Sequence, residues 1–166
     1  MFRPVLILCS VVAALPGAGI AEAVAVRVEP THLQVPRPLQ DQTQAAAIRD
    51  YLQSWQTLSA AFDQNQPNLL DRDFVGAARD KLAEAVQQQT AAGIHTRYQD
   101  RSHDLQIVFY SPEGLSIELT DNVEYDVQVL DRDKVQTTQH VRACYVVVLT
   151  PAEVRWRVRV FQAQSE

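Results

Sequence analysis

LSIELTDNVEYDVQVL, running from Leu115 to Leu130, reads as a long strand in the part of the chain where the helical period has given way to an alternating one. Ile117, Leu119, Val123, Tyr125, Val127 and Val129 fall on one side of an extended backbone, and polar residues fill most positions between them. That is the pattern of a strand with one buried face. Asp121 is the only acidic residue on the apolar side. It lies in Thr120-Asp121-Asn122, a turn-prone triplet where a bend or bulge would turn its side chain to solvent.

Downstream the alternation continues through Val135–Leu149 and Val154–Gln162, and upstream it covers Leu105, Ile107 and Phe109, with Ile94–Gln99 as a separate first strand. Loop lengths then propose a register. Loops at Pro112–Gly114 and Arg132–Lys134 set the apolar side of Leu115–Leu130 beside Phe109, Ile107, Val141, Ala143, Tyr145 and Val147. The loop TPAE brings Val154, Trp156, Val158 and Val160 to the same inner side. Cys144, Val146, Val148 and Phe161 then lie outside, rimmed by Arg155, Arg157 and Arg159.

Two helices precede these strands. After Asp41, a plausible N-cap, Ile48, Tyr51, Leu52, Trp55, Leu58 and Phe62 repeat at the spacing of one helical face, and Pro67 forces an end near Asn65. A second helix, capped by Asp71 or Asp73, carries Phe74, Ala78, Leu82, Ala85, Val86 and Gln89 on one stripe and stops at Gly93. Helices followed by an antiparallel meander make an α+β domain, its sheet wrapped over the helices.

The opening residues do not read as part of that domain. Arg3, the apolar run Val5–Leu15 and Ala21-Glu22-Ala23 are the three regions of an export signal, with cleavage expected near Ala23. The divisions expected are a signal peptide at 1–23, a proline-containing arm at 24–41, one domain at 42–162 and a tail at 163–166. Within the arm, VAVRV alternates and could add an edge strand. Cys144 is the one cysteine outside the leader, so no internal disulfide is expected. A net charge of −5 without a basic cluster argues against nucleic acid as a partner, and no membrane contact is expected beyond the leader. The expected location is exported, periplasmic or secreted.

AIRDYLQSWQTLSAAF, the break QPNLLDRDF, GAARDKLAEAV and the closing VRWRVRVFQ together resemble the nuclear transport factor 2-like superfamily, which includes ketosteroid isomerase-like and polyketide cyclase-like members. The resemblance spans about residues 42–162 and rests on element order and strand length. It implies a cone-shaped, curved sheet around two helices, with a pocket at the open end lined by Trp55, Phe109, Tyr125 and Trp156. It also implies pairing of domains through the outer sheet face, here Cys144, Val146, Val148, Arg155, Arg157 and Arg159.

Ketosteroid isomerase-like enzymes of that superfamily use a pocket carboxylate as base with tyrosine or protonated aspartate as oxyanion donor, a division of labour that a dry pocket permits. The candidates here are Asp121, Tyr145 set opposite it by the register, and Tyr51 from the first helix. No metal or cofactor is expected: His32, His95, His103 and His140 lack ligand spacing, and Val123 and Tyr125 interrupt the calcium-loop pattern. No nucleophile elbow surrounds any serine. The function expected first is a non-catalytic exported domain that binds a protein partner or a small apolar ligand and forms a homodimer. The alternatives are an isomerase or dehydratase using the pocket carboxylate, and a membrane-retained envelope assembly subunit.

Overall fold

A computed structural model describes residues 23–31, 33 and 37–164. The leader up to Glu22 and His32 lie outside the described residues. Helix α1 spans Asp41–Asp63 and buries Ala47, Tyr51, Ser54, Trp55, Leu58, Ala61 and Phe62 along one face. Asp41 sits in its first turn, and the capping position is Gln40, which makes no side-chain bond. The helix ends as Pro67 requires: Asn65 takes a left-handed φ of 53° and a 3₁₀ turn covers Pro67–Arg72.

Helix α2, Gly76–Ala91, starts later than the acids that were expected to cap it. Asp73 is instead buried, accepting hydrogen bonds from Thr57 Oγ1 and, at 3.0 Å, from Arg155 Nη1. Gly93, with φ of 72°, turns the chain into the sheet.

The sheet has five strands in chain order: β1 Ala25–Val28, β2 Ile94–Tyr110, β3 Ile117–Asp131, β4 Lys134–Pro151 and β5 Trp156–Ala163. Strands β2 to β5 are antiparallel neighbours, while β1 runs parallel to β2 at its edge. Two expected strands are therefore one, since β2 continues from Ile94 through His103 to Tyr110. Register shifts beside Arg101, Val108, Gln136 and Arg159 insert extra residues into β2, β4 and β5. Such bulges bend a strand and increase its twist. The long ribbons consequently curl around α1 as a curved, unclosed sheet.

In the middle of the sheet the proposed register holds: Ile107 pairs with Leu119, Asp121 with Leu105 and Tyr145, and Tyr125 with Val141. The β3–β4 loop is shorter than expected, only Arg132 and Asp133, both at positive φ as a type I′ turn requires. The extra residue near Gln136 restores the register that a three-residue loop would have set.

At the ends, bulges overturn the parity. The shift at Val108 turns Phe109 outward, opposite Glu118 and 42% exposed, and puts Tyr110 inside in its place. Phe109 therefore faces away from the interior it was expected to line. In β5 the offset is larger, because β4 runs to Pro151 and the turn closes from Ala152 N–H to Arg155 O. Val148 consequently faces Val160, and Phe161 joins Val147 on the inner side, not the outer. Val154 and Val160 are exposed instead of inward. Among the described residues no helix is long and apolar enough to cross a membrane.

Candidate functional site

Three elements bring ionisable groups together under α1. β3 contributes Asp121, β2 contributes His103 two residues before Leu105, and α1 contributes Tyr51 and, one turn on, Trp55. Asp121 is fully buried and His103 is 2% exposed. Asp121 Oδ2 accepts a 2.7 Å hydrogen bond from the Tyr51 hydroxyl and lies 2.7 Å from His103 Nδ1. Trp55 Nε1–H donates to the Tyr51 oxygen at 2.8 Å. On the far side of the imidazole, Nε2 faces Asp100 Oδ2 at 3.8 Å. Asp121 Oδ1 is buried without a hydrogen-bond partner.

Burial alone would depress the His103 pKa, but hydrogen bonding and charge from Asp100 and Asp121 outweigh it and push the value up to about 9. At neutral pH the cluster is thus an imidazolium held between two acids. Burial, reinforced by the Asp121 charge and hydrogen bond, pushes the Tyr51 hydroxyl well above its ordinary range. Tyr51 stays a neutral donor. Chemically, the set could hold a proton at Nδ1 or at the tyrosine oxygen against a carboxylate, the elements of general acid–base work.

Access is another matter. The Trp55 indole packs on His103 with centroids 5.3 Å apart, and on Tyr125, Tyr145 and Phe161 at 5.6, 5.6 and 5.5 Å. Phe161 stacks on Tyr145 at 4.5 Å, and the Tyr125 and Tyr145 hydroxyls meet at 3.0 Å. Burial first, then Tyr125, raises Tyr145 above any physiological range, and the neighbouring Tyr98 is pushed up to about 12. These rings fill the interior of the cone. Trp156 is half-buried away from them, its backbone N–H held by Asp50 Oδ2 at 2.8 Å.

The open space lies elsewhere. A cleft of about 680 Å³ runs along another flank of α1, with Ala45, Ile48 and Leu52 on one wall, Val28 of β1 on the other, and Asp41 and Arg49 among its polar residues. Among the described clefts, none is lined by Asp121, His103 or Tyr51.

Of the outer-face residues, Cys144, Val146 and Val148 are half-buried and Cys144 is a free thiol. The arginines do not form the expected rim: Arg155 is bound to Asp73, and Arg157 donates to the carbonyls of Asp71 and Phe74. Only Arg159 of the three is fully on the surface. A shallow hollow of about 390 Å³ on this face is bordered by Asp104, Glu124, Arg142 and Cys144. Glu124 pairs with Arg142 at 2.7 Å and Asp126 with His140 at 2.9 Å, as the register required. Asp126 also accepts from Arg101, whose bond is the main cause of its lowered pKa.

The residue that the sequence pattern concealed is His103. It shares parity with Leu105 and Ile107, a signal lost when Ile94–Gln99 and Leu105–Phe109 are taken as separate strands. Joined into one strand, the same alternation carries it inward.

No family model and no curated protein matches the sequence. Solved structures do. The intermembrane space region of the chloroplast protein ARC6 superposes with a TM-score of 0.66 at 13% identity, over 78% of this chain and 100% of that one. A putative scytalone dehydratase from Novosphingobium aromaticivorans gives 0.53 at 13% identity, over 76% and 89%. Aln2 from a Streptomyces species gives 0.51 at 9% identity, over 77% and 93%. Likeness at such identities speaks to architecture and leaves the chemistry open, and with the curved sheet around two helices it leads to one conclusion: this chain carries the cone fold of the nuclear transport factor 2-like superfamily.

Proposed function

We propose that this chain is an exported, non-catalytic binding and assembly domain that takes up a protein partner or a small apolar ligand and pairs with itself through the outer sheet face. One observation carries the reading: the groups able to move a proton lie under Trp55 and its ring neighbours, while the accessible cleft beside α1 offers apolar surface with Asp41 and Arg49 as its charged residues, Arg49 already bound to Asp50. A catalytic base must come within hydrogen-bond reach of its substrate. The leader supports export, and the ARC6 region of like fold is named for a space between membranes. Half-buried Val146 and Val148 on the outer face support pairing.

Titration with the apolar dye 8-anilinonaphthalene-1-sulfonate tests the binding half. Dye fluorescence is expected to fall to background in Ile48→Asp and to persist in Asp121→Asn. The opposite pattern would place the ligand inside the cone and sink this reading. Sedimentation tests the pairing half, with Val146→Arg expected to shift a dimer to monomer.

A second reading, a small-molecule isomerase or dehydratase, draws on the orphan Asp121 Oδ1 beside two proton donors. It requires Trp55 to move aside. Deuterium uptake at the α-carbon of a small cyclic ketone, abolished by Asp121→Asn, is its distinguishing result.

A further inference from the structure

β1 ends the sheet, so its outer edge has no strand partner among the described residues. Which backbone groups that edge presents follows from one bond: Glu29 N–H donates to Leu105 O at 2.8 Å. In a strand the N–H and C=O of each residue point to the same side and alternate from residue to residue. Arg27 and Glu29 therefore face β2, and the N–H and C=O of Val26 and Val28 face away from the sheet. The side chains have the complementary property. Val26 is paired with His103 and Val28 with Leu105, so both share the inner face, yet they remain 45% and 38% exposed because α1 does not reach over them. Between Val28 and α1 lies the 680 Å³ cleft.

We propose that this edge and cleft receive an extended apolar segment of a partner protein, which adds as a sixth strand along β1 and places alternate side chains against Val28, Ala45, Ile48 and Leu52. The inference deepens the binding role proposed above and rests on it.

Three features select the occupant. An acyl chain filling the cleft would cover the outward N–H and C=O of Val26 and Val28 without pairing them, which costs free energy for every group left unsatisfied. A peptide strand pairs them while burying the same apolar wall, the mode known as strand addition. A second copy joined through the same edge meets over only the four residues of β1, far short of the roughly 1,000 Å² a stable interface needs. Charge disfavours an anionic ligand such as a fatty acid: the one base in the lining, Arg49, is already bound to Asp50 at 2.8 Å, and the other charged lining residue, Asp41, is an acid.

The test uses the full chain and a capped heptapeptide of alternating valine and threonine, with its fully N-methylated analogue as the control that keeps the side chains and loses the donors. Hydrogen exchange at single amides is the readout. The free peptide is expected to slow exchange at Val26 and Val28 at least tenfold and to leave Arg27, already facing β2, unchanged; the N-methylated analogue slows neither. Val26→Pro removes an outward donor without touching the ladder to β2, a substitution an edge strand tolerates, and is expected to weaken peptide binding at least tenfold. Equal protection by both peptides overturns the proposal, as does protection by laurate alone or by raising protein concentration alone. Dye binding at Ile48 without peptide protection overturns strand addition and leaves the binding role standing, whereas loss of both overturns the two together.

Discussion

The interior of the cone and the α1–β1 flank invert the usual relation between polarity and exposure. Inside, Asp121, His103 and Tyr51 are bonded to one another and closed over by aromatic rings. On the flank, Val26, Val28 and Ala45 stand in solvent. A buried charge is tolerated only when paired, and removing one partner leaves the other uncompensated. An exposed apolar stripe beside a free strand edge is tolerated when something covers it. The two regions differ in what they demand: the first needs its own members, the second a visitor.

The sharpest way to break this comparison is to remove a member of the interior set. Asp121→Ala strands the His103 imidazolium and the Tyr51 hydroxyl, and is expected to cost about 3–5 kcal/mol in urea unfolding. A loss under about 1 kcal/mol would mean that the cluster is hydrated and reachable, returning the catalytic reading to first place.

Next in size is the effect of pH on the intact protein. The folded pKa of His103, about 9, lies above its unfolded value of 6.5. Its contribution is therefore fully present below about pH 6.5 and is lost as pH rises through about 9, a decline of about 3 kcal/mol. Unfolding measured at intervals between pH 6 and pH 10 should show that slope, and His103→Gln should flatten it. A steeper slope in the variant would contradict the assignment.

On the flank, stability should scarcely respond. Val26→Thr is expected to change unfolding free energy by no more than about 0.5 kcal/mol, as for most surface changes, while peptide binding weakens. Smallest of all is the outer face, where Arg142→Ala breaks a pair whose arginine is 74% exposed. It should cost about 0–1 kcal/mol and vanish in high salt.

Much of this architecture was legible in the pattern of residues. The α1 stripe from Tyr51 through Phe62 and its end before Pro67 follow from periodicity and proline geometry, and the pairing of Asp121 with Tyr145 was reached through a loop one residue too long, an error that the extra residue at Gln136 cancels. Parity arguments failed where a bulge intervened. Phe109, Phe161 and Val160 changed sides because one extra residue exchanges the faces of everything beyond it, whereas Arg155 and Arg157 were drawn off the outer face by bonds to Asp73 and to the carbonyls of Asp71 and Phe74. Nothing local in Val108 or Arg159 announces a bulge. The burial of Asp121 was equally illegible, for Thr120-Asp121-Asn122 is turn-prone in isolation and becomes straight strand only when Leu105 and Tyr145 pair on either side.

By itself the chain of residues determined its elements, their order and the central register, because hydrophobic period and backbone restriction are properties of neighbours in sequence. Tertiary structure alone decided that His103 meets Asp121, that Trp55 closes over them, and that the open surface lies along α1 and β1 instead of within the cone. Those outcomes depend on how far a bulged sheet curls and which side of a helix it covers. These are consequences of packing among residues tens of positions apart, which no local pattern encodes.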